Sequence, residues 1–237
     1  MIITLHELAF SGDIRPSPYC WRAKYALEHK GLEYCTAASS FAGITSIAGG
    51  GQKTVPVLEI ADGEESKVVG DSWDIANFLD EAYPDKPSLF GGEQGRSHAL
   101  FVQNWSFCNL HPPLMKAILL DIVERVLPEE RGQFRQVREQ RLGVTLEEIA
   151  SGPIEDRIEA VRKAFEPVRA VLRTQPFLSG AAPLYADYIV AGQLHWPREA
   201  SPLRILEADD PVMAWFERIL GLYGRIGSEG TRTWDGP

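Results

Sequence analysis

Ser17-Pro18-Tyr19-Cys20-Trp21-Arg22-Ala23-Lys24-Tyr25-Ala26-Leu27 reads as the opening of a helix. A serine side chain accepts from the first free N–H groups of a helix, and proline suits the first helical position because it has no N–H to leave unpaired. The spacing predicts a helix from Pro18 to about Lys30, stopped by Gly31. Short strand-forming runs flank it, Ile2 to Leu5 and Glu33 to Ala37, so the chain begins β-α-β. Further out, Val55 to Ile60 and Lys67 to Val69 are two more strand candidates, expected to pair as a hairpin across Ala61-Asp62-Gly63. A helix follows on which Ile75, Ala76, Leu79 and Tyr83 share a face. The order β-α-β-loop/α-β-β-α is that of a mixed α/β unit.

The Pro/Gly-rich run from Tyr83-Pro84-Asp85-Lys86-Pro87 to Gly92 interrupts this pattern and reads as a linker. No strand is expected after it. Ile158, Val161, Phe165, Val168 and Leu172 recur at steps of three and four, which predicts one helical stripe in a bundle. Similar patterns cover Arg96 to Val126, Glu129 to Ala150, Ala186 to Trp196 and Pro211 to Tyr223. The expected class is therefore α+β: an α/β domain over residues 1–84, a linker over 85–93, an all-helical domain over 94–224, and a tail over 225–237. From Gly224 onward no core face is evident, and poor order is expected there.

Composition narrows the function. A net charge of −9 over 237 residues, with no Lys/Arg block, argues against a nucleic-acid surface, which needs clustered cations. Apolar runs such as Ala117 to Leu120 fall far short of the roughly 18–20 residues that span a bilayer, so no membrane association is expected. Met1-Ile2-Ile3-Thr4-Leu5-His6-Glu7 lacks the basic start and long apolar stretch of a secretory signal. Cys20, Cys35 and Cys108 form no CxxC and leave an odd thiol, which suits a reducing compartment, and a cytoplasmic location is expected. The five histidines show no metal-ligand spacing, and Gly49-Gly50-Gly51 lacks the strand-to-helix setting of a nucleotide loop, so neither metal nor nucleotide is expected.

Three short signals remain: Ser17-Pro18, Thr54-Val55-Pro56 and Asp71-Ser72. Each alone reads as a helix cap or a loop-to-strand junction. In this order, within this unit, they resemble the thioredoxin-like half of the glutathione transferases, followed by that family's all-helical second domain. The resemblance implies that Pro56 is cis and that the backbone of Val55 pairs, strand-like, with the cysteinyl part of glutathione. It also implies that Ser72 holds the γ-glutamyl carboxylate at a helix start, with Asp71 meeting the ammonium. Thr54 and Lys53 adjoin this clamp, and Lys53 reaches the glycyl carboxylate or stays in solvent. Ser17 takes the place of the family's activating hydroxyl, whose hydrogen bond favours the reactive thiolate over the thiol. Relatives with cysteine at that position carry out thiol–disulfide chemistry. Serine there, with Cys20 one turn later, favours transfer over reduction.

Four segments narrow the resemblance: Ser17 to Leu27, Phe41-Ala42-Gly43-Ile44, Asp71-Ser72-Trp73-Asp74-Ile75-Ala76, and Arg138 to Ile149. They are similar to the bacterial lignin β-aryl etherases and their fungal relatives. The implied reaction is attack by glutathione thiolate on the carbon that bears an aryl ether beside a ketone, in a homodimeric enzyme. By position, Trp73, Trp105, Phe107 and Met115 are candidates to line an apolar cleft for the aromatic acceptor. Two alternatives are kept: a non-catalytic ligand carrier of the same fold, and a thiol reductase using Cys20. One departure from the family pattern is Leu184, where a serine or threonine usually stands three residues before the aspartate matching Asp187, so that helix must be capped otherwise.

Overall fold

Four strands form one mixed sheet in the order β2-β1-β3-β4, where β1 is Ile2–Leu8, β2 Cys35–Ser39, β3 Val57–Asp62 and β4 Glu65–Gly70. A computed structural model of the chain describes residues 1–63, 65–227 and 234. β2 lies parallel to β1 and is reached through α1, Pro18–His29. β3 runs antiparallel to β1, with Val57 opposite His6, and β4 antiparallel to β3, with Gly70 opposite Val57. The third strand begins two residues later than its β-rich sequence suggests, because Val55–Pro56 is a cis turn and proline has no N–H to give a ladder. Between β2 and β3 the expected loop or helix is a run of 3-10 turns, Ala42–Gly49, broken at Ile47 and Ala48. α2, Ser72–Ala82, buries Ile75, Ala76 and Leu79 as expected, but Tyr83 is its C-cap and not part of that face.

The remaining elements are helical: α3 Glu93–Trp105, α4 His111–Arg125, α5 Arg131–Leu142, α6 Leu146–Ile149, α7 Ile154–Ala164, α8 Glu166–Leu172, α9 Tyr185–Ala200, α10 Pro211–Leu222 and α11 Gly224–Gly227. The stripe from Ile158 to Leu172 is two helices, since Pro167 can enter the first turn of a helix but cannot continue one. Val161, Phe165 and Val168 are nonetheless all buried. The pattern over Arg96 to Val126 is likewise interrupted, by a π-helical turn at Ser106–Leu110 in which the His111 N–H reaches back to the Ser106 carbonyl. Pro112 and Pro113 follow it and lack the N–H groups that ordinary α-helical bonds to Cys108 and Asn109 would need.

α1 lies between the sheet and α9, which explains why its sequence is not amphipathic: everything from Pro18 to Leu27 except Tyr19 is buried. All sixteen residues of α9 are buried too. The two helices meet backbone to backbone, and a Cβ on Gly192 would stand 2.4 Å from the Pro18 carbonyl oxygen. Two buried lysines of α1 and its C-cap are paired, Lys24 with Glu7 at 2.9 Å and Lys30 with Asp80 at 2.7 Å. Leu184 has no acceptor, so α9 is capped from one side only. The buried Asp187 carboxylate accepts from the N–H groups of Leu178, Ser179 and Leu184 at 2.7, 3.1 and 3.2 Å and from the Trp215 indole at 3.0 Å.

The expectation of a tail without a core face is corrected at two positions. Ile226 and Trp234 are buried in the core, and Arg204 donates to the Trp234 carbonyl. The rest of that stretch beyond Gly227 lies outside the described residues. Among the described residues no helix is long and apolar enough to cross a membrane.

Candidate functional site

The three singled-out segments leave the same end of the sheet. β1 ends at Leu8 and leads into α1, β3 starts at Val57 directly after Pro56, and β4 ends at Gly70 directly before Asp71, while the register pairs His6 with Val57 and Val57 with Gly70. Ser17 is the N-cap of α1, 8% exposed, and its Oγ accepts from the Cys20 N–H at 3.3 Å. The loop ahead of it is pinned by the Trp21 indole, which donates to the Arg15 carbonyl at 2.8 Å. An N-cap hydroxyl that accepts from the helix keeps its own proton available for a further acceptor, and the helix N-terminus adds positive potential beside it.

The Val55–Pro56 peptide bond is cis, as the resemblance implies. The Pro56 carbonyl accepts from the Asp71 N–H at 3.2 Å, which ties the cis turn to the start of α2. Asp71 is held at φ 67°, a left-handed conformation that costs a non-glycine residue roughly 1–3 kcal/mol. Its carboxylate accepts from the Trp73 N–H at 2.7 Å, and its carbonyl takes the first helical bond from Ile75 at 2.9 Å. Ser72 is 1% exposed, and its carbonyl accepts from the Tyr185 hydroxyl of α9 at 2.6 Å. No other described residue engages the backbone N–H and C=O of Val55, so this stretch offers one donor and one acceptor to an extended peptide. Lys53 and Thr54 beside it are exposed and unpaired among the described residues.

Cys20 points into the protein. It is 2% exposed, and burial, with Glu7 nearby, pushes its thiol up to about 12, against the pull of the Ser17 hydroxyl. The thiol is therefore protonated near neutral pH.

Among the described residues no ring contact joins Trp73, Trp105 and Phe107, three of the four side chains proposed for the acceptor cleft. Trp73 packs between Phe90 and Tyr185, with ring centroids at 5.5 and 6.0 Å, and so fills the seam between α2 and α9. Trp105 and Met115 are part-buried against the main core. Phe107 alone enters an aromatic group beside α1: its ring stacks on His111 at 6.0 Å, His111 stacks on Trp196 at 4.6 Å, and Tyr19 tilts against His111 at 6.2 Å. His111 also hydrogen-bonds Gln193 of α9, at 3.3 Å. Burial, with Arg22, Arg138 and Arg141 nearby, lowers its pKa to about 4, so the imidazole is neutral near pH 7. Tyr19, His111 and Trp196 were not singled out in the sequence. The one local signal was Pro112-Pro113, which starts α4 next to His111. Among the described residues no group of three His, Cys, Asp or Glu gathers to hold a metal.

Comparison with known proteins agrees with this geometry. The family model for the glutathione S-transferase N-terminal domain matches residues 16–82, and that for the C-terminal domain matches residues 98–218. The chain belongs to the glutathione transferase family, and its fold is a thioredoxin-like domain followed by an all-helical one. The glutathione S-transferase-like protein ustS of Aspergillus flavus is 27% identical over 202 residues, 74% of this chain and 71% of that protein. Among solved structures, the glutathione transferase GSTFuA3 from Phanerochaete chrysosporium superposes with a TM-score of 0.78 at 23% identity, covering 92% of this chain and 96% of that one. A glutathione S-transferase of Ceriporiopsis subvermispora in complex with glutathione gives 0.76 at 23% identity, covering 98% and 99%. These structural likenesses are likenesses of fold.

Proposed function

We propose that the chain transfers glutathione, its co-substrate, to an aromatic electrophile, and that Ser17 keeps the glutathione sulfur reactive. The observation that carries this reading is the position of Ser17: a capping hydroxyl at the mouth of α1, at the same end of the sheet as the cis Val55–Pro56 turn and Asp71-Ser72. Val55 would pair with the cysteinyl backbone, while Asp71 and Ser72 would take the γ-glutamyl ammonium and carboxylate, with Lys53 and Thr54 alongside. The Ser17 hydroxyl would then donate to the sulfur. A free thiol titrates near 8.5, and a downward shift of about two units corresponds to roughly 2.7 kcal/mol of preference for the thiolate.

The substrate class that fits the narrower resemblance is a β-aryl ether ketone. The sulfur attacks the carbon that bears the aryloxy group, a C–S bond forms as the C–O bond breaks, and phenolate leaves with the bonding pair. Incubating the protein with glutathione and such a ketone is expected to release the phenol and leave a glutathione thioether. An absence of product with this and with simple chloronitrobenzene acceptors would overturn the reading. The buried, protonated Cys20 thiol supports transfer over disulfide reduction. The same reading takes the protein as a cytoplasmic homodimer, and its three free cysteines support a reducing location.

A further inference from the structure

Among the described residues three arginines whose charge acts on His111 have no counter-ion: Arg22, sealed in the core, Arg138, half-buried, and Arg141, exposed at the surface. Arg22, on α1, is 1% exposed; its Nε has no hydrogen-bond partner, and its guanidinium lies 4.6 Å from the Tyr19 ring centroid. Among the described residues it forms no ion pair, and a buried unpaired cation is costly enough that proteins almost always supply it with an anion. The carboxylate that acts on it, Asp71, is already engaged as the cap of α2.

Arg138 and Arg141 stand three residues apart on α5 and so share a face. Arg138 lies 4.9 Å from the Phe134 centroid, and Phe134 packs edge-on against Phe41 at 5.1 Å and Phe10 at 6.0 Å, in the loops that follow β2 and β1. Neither arginine hydrogen-bonds or ion-pairs with a described residue. Several other arginines of the helical domain hold carboxylates, while Arg125, Arg157 and Arg218 donate to backbone carbonyls. Arg135, also on α5, holds Glu139 at 3.0 Å and Glu147 at 2.8 Å, and Arg169 holds Asp210 at 2.7 Å. The nearest carboxylate before Phe134, Glu130, accepts from the Ser40 hydroxyl.

We propose that the acceptor is an aromatic acid, its ring held by Tyr19, Phe107, His111 and Trp196 and its carboxylate bound by Arg22, Arg138 and Arg141. This deepens, and rests on, the glutathione transferase reading of Ser17. A guanidinium presents two parallel N–H donors to a carboxylate, and the neutral His111 ring offers stacking without competing charge.

The test compares 4-chloro-3-nitrobenzoate with 4-chloro-3-nitrobenzamide. In both, the glutathione sulfur attacks the ring carbon that bears chlorine, the C–S bond forms, chloride leaves with the bonding pair, and the thiol proton passes to solvent. With each rate divided by its uncatalysed rate, kcat/KM for the benzoate is expected to exceed that for the benzamide by about tenfold. The double variant Arg138→Gln, Arg141→Gln is expected to erase most of that ratio through KM for the benzoate, with KM for glutathione moving less. Equal handling of the two acceptors, or an equal loss of both in the variant, would overturn the proposal. Should neither acceptor react, and the β-aryl ether ketone also give no product, the transferase reading fails. Equilibrium binding of the benzoate in the presence of S-methylglutathione then decides the pocket by itself: weaker binding by the double variant supports it, and unchanged binding refutes it.

Discussion

The Ser17 end of the sheet and the aromatic group around His111 adjoin each other through Tyr19, yet they are built by different means. The first is made of backbone: a helix cap, a cis peptide turn, and an aspartate held at positive φ by one bond to Pro56. The second is made of side chains from α1, α4, α9 and the π turn, each delivered by a different packing contact. A site of the first kind suits the unvarying part of a reaction, because a backbone clamp changes little with side-chain substitution. A site of the second kind can be altered residue by residue, which suits it to the choice of acceptor.

The sharpest way to break this contrast is Ser17→Ala. Loss of a downward shift of about two units from near 8.5 cuts the thiolate fraction of bound glutathione at pH 7, and with it kcat/KM for the acceptor, by about 25-fold, and by the same factor for every acceptor. The ultraviolet absorbance of bound thiolate should shift to higher pH in parallel. A loss that depended on the acceptor would show that Ser17 belongs to both regions.

Gly192→Ala tests the wall they share. The new methyl meets the Pro18 carbonyl at 2.4 Å, backbone against backbone, so α9 and the first turn of α1 must separate. Denaturant unfolding is expected to show a loss of roughly 1–3 kcal/mol. Activity should fall for all acceptors because Ser17 moves with Pro18; full stability with full activity would mean that the seam yields freely.

His111 gives the aromatic region a pH signature that the backbone clamp lacks. Its pKa is about 4 in the folded chain against 6.5 for the free side chain, so the unfolded state binds the extra proton. The contribution is complete above pH 6.5 and is lost as pH falls from 6.5 towards 4. Allowing for partial exposure, it amounts to about 2 kcal/mol. The drop in Tm between pH 7 and pH 4.5 should therefore be smaller in His111→Gln than in the parent protein, and an equal drop in both would remove His111 as the cause.

The smallest expected effect separates two aromatic residues. Phe107→Ala, which removes a ring stacked on His111, should raise KM for an aromatic acceptor by about threefold to tenfold. Trp73→Phe, which keeps the seam with Phe90 and Tyr185 filled, should leave the ratio between acceptors unchanged. The opposite pattern would restore Trp73 to the acceptor side.

Much of the thioredoxin-like domain is legible in the chain because its signals are short-range. A serine before a proline caps α1 and Gly31 ends α1 in a left-handed turn, each through the chemistry of a few neighbouring residues, whereas the late start of β3 at Val57, after the cis Val55–Pro56 turn, goes unread. The positive φ of Asp71 is not legible, since an aspartate before a helix ordinarily caps from the extended region and only the bond to Pro56 draws it elsewhere. The break at Phe165 was hidden by a stripe whose apolar period runs unchanged through two helices.

What the sequence determined by itself is the order of elements, the family's three short signals and the serine at the mouth of α1, because caps, turns and strand periodicity act over a handful of residues. Only the tertiary structure decided that Arg22 would be sealed in without an anion, that Trp73 would fill a seam while Phe107 joined His111 and Trp196, and that Trp234 would return to the core. Those outcomes depend on which surfaces α1, α5 and α9 press together, and residues far apart in the chain carry no local trace of that contact.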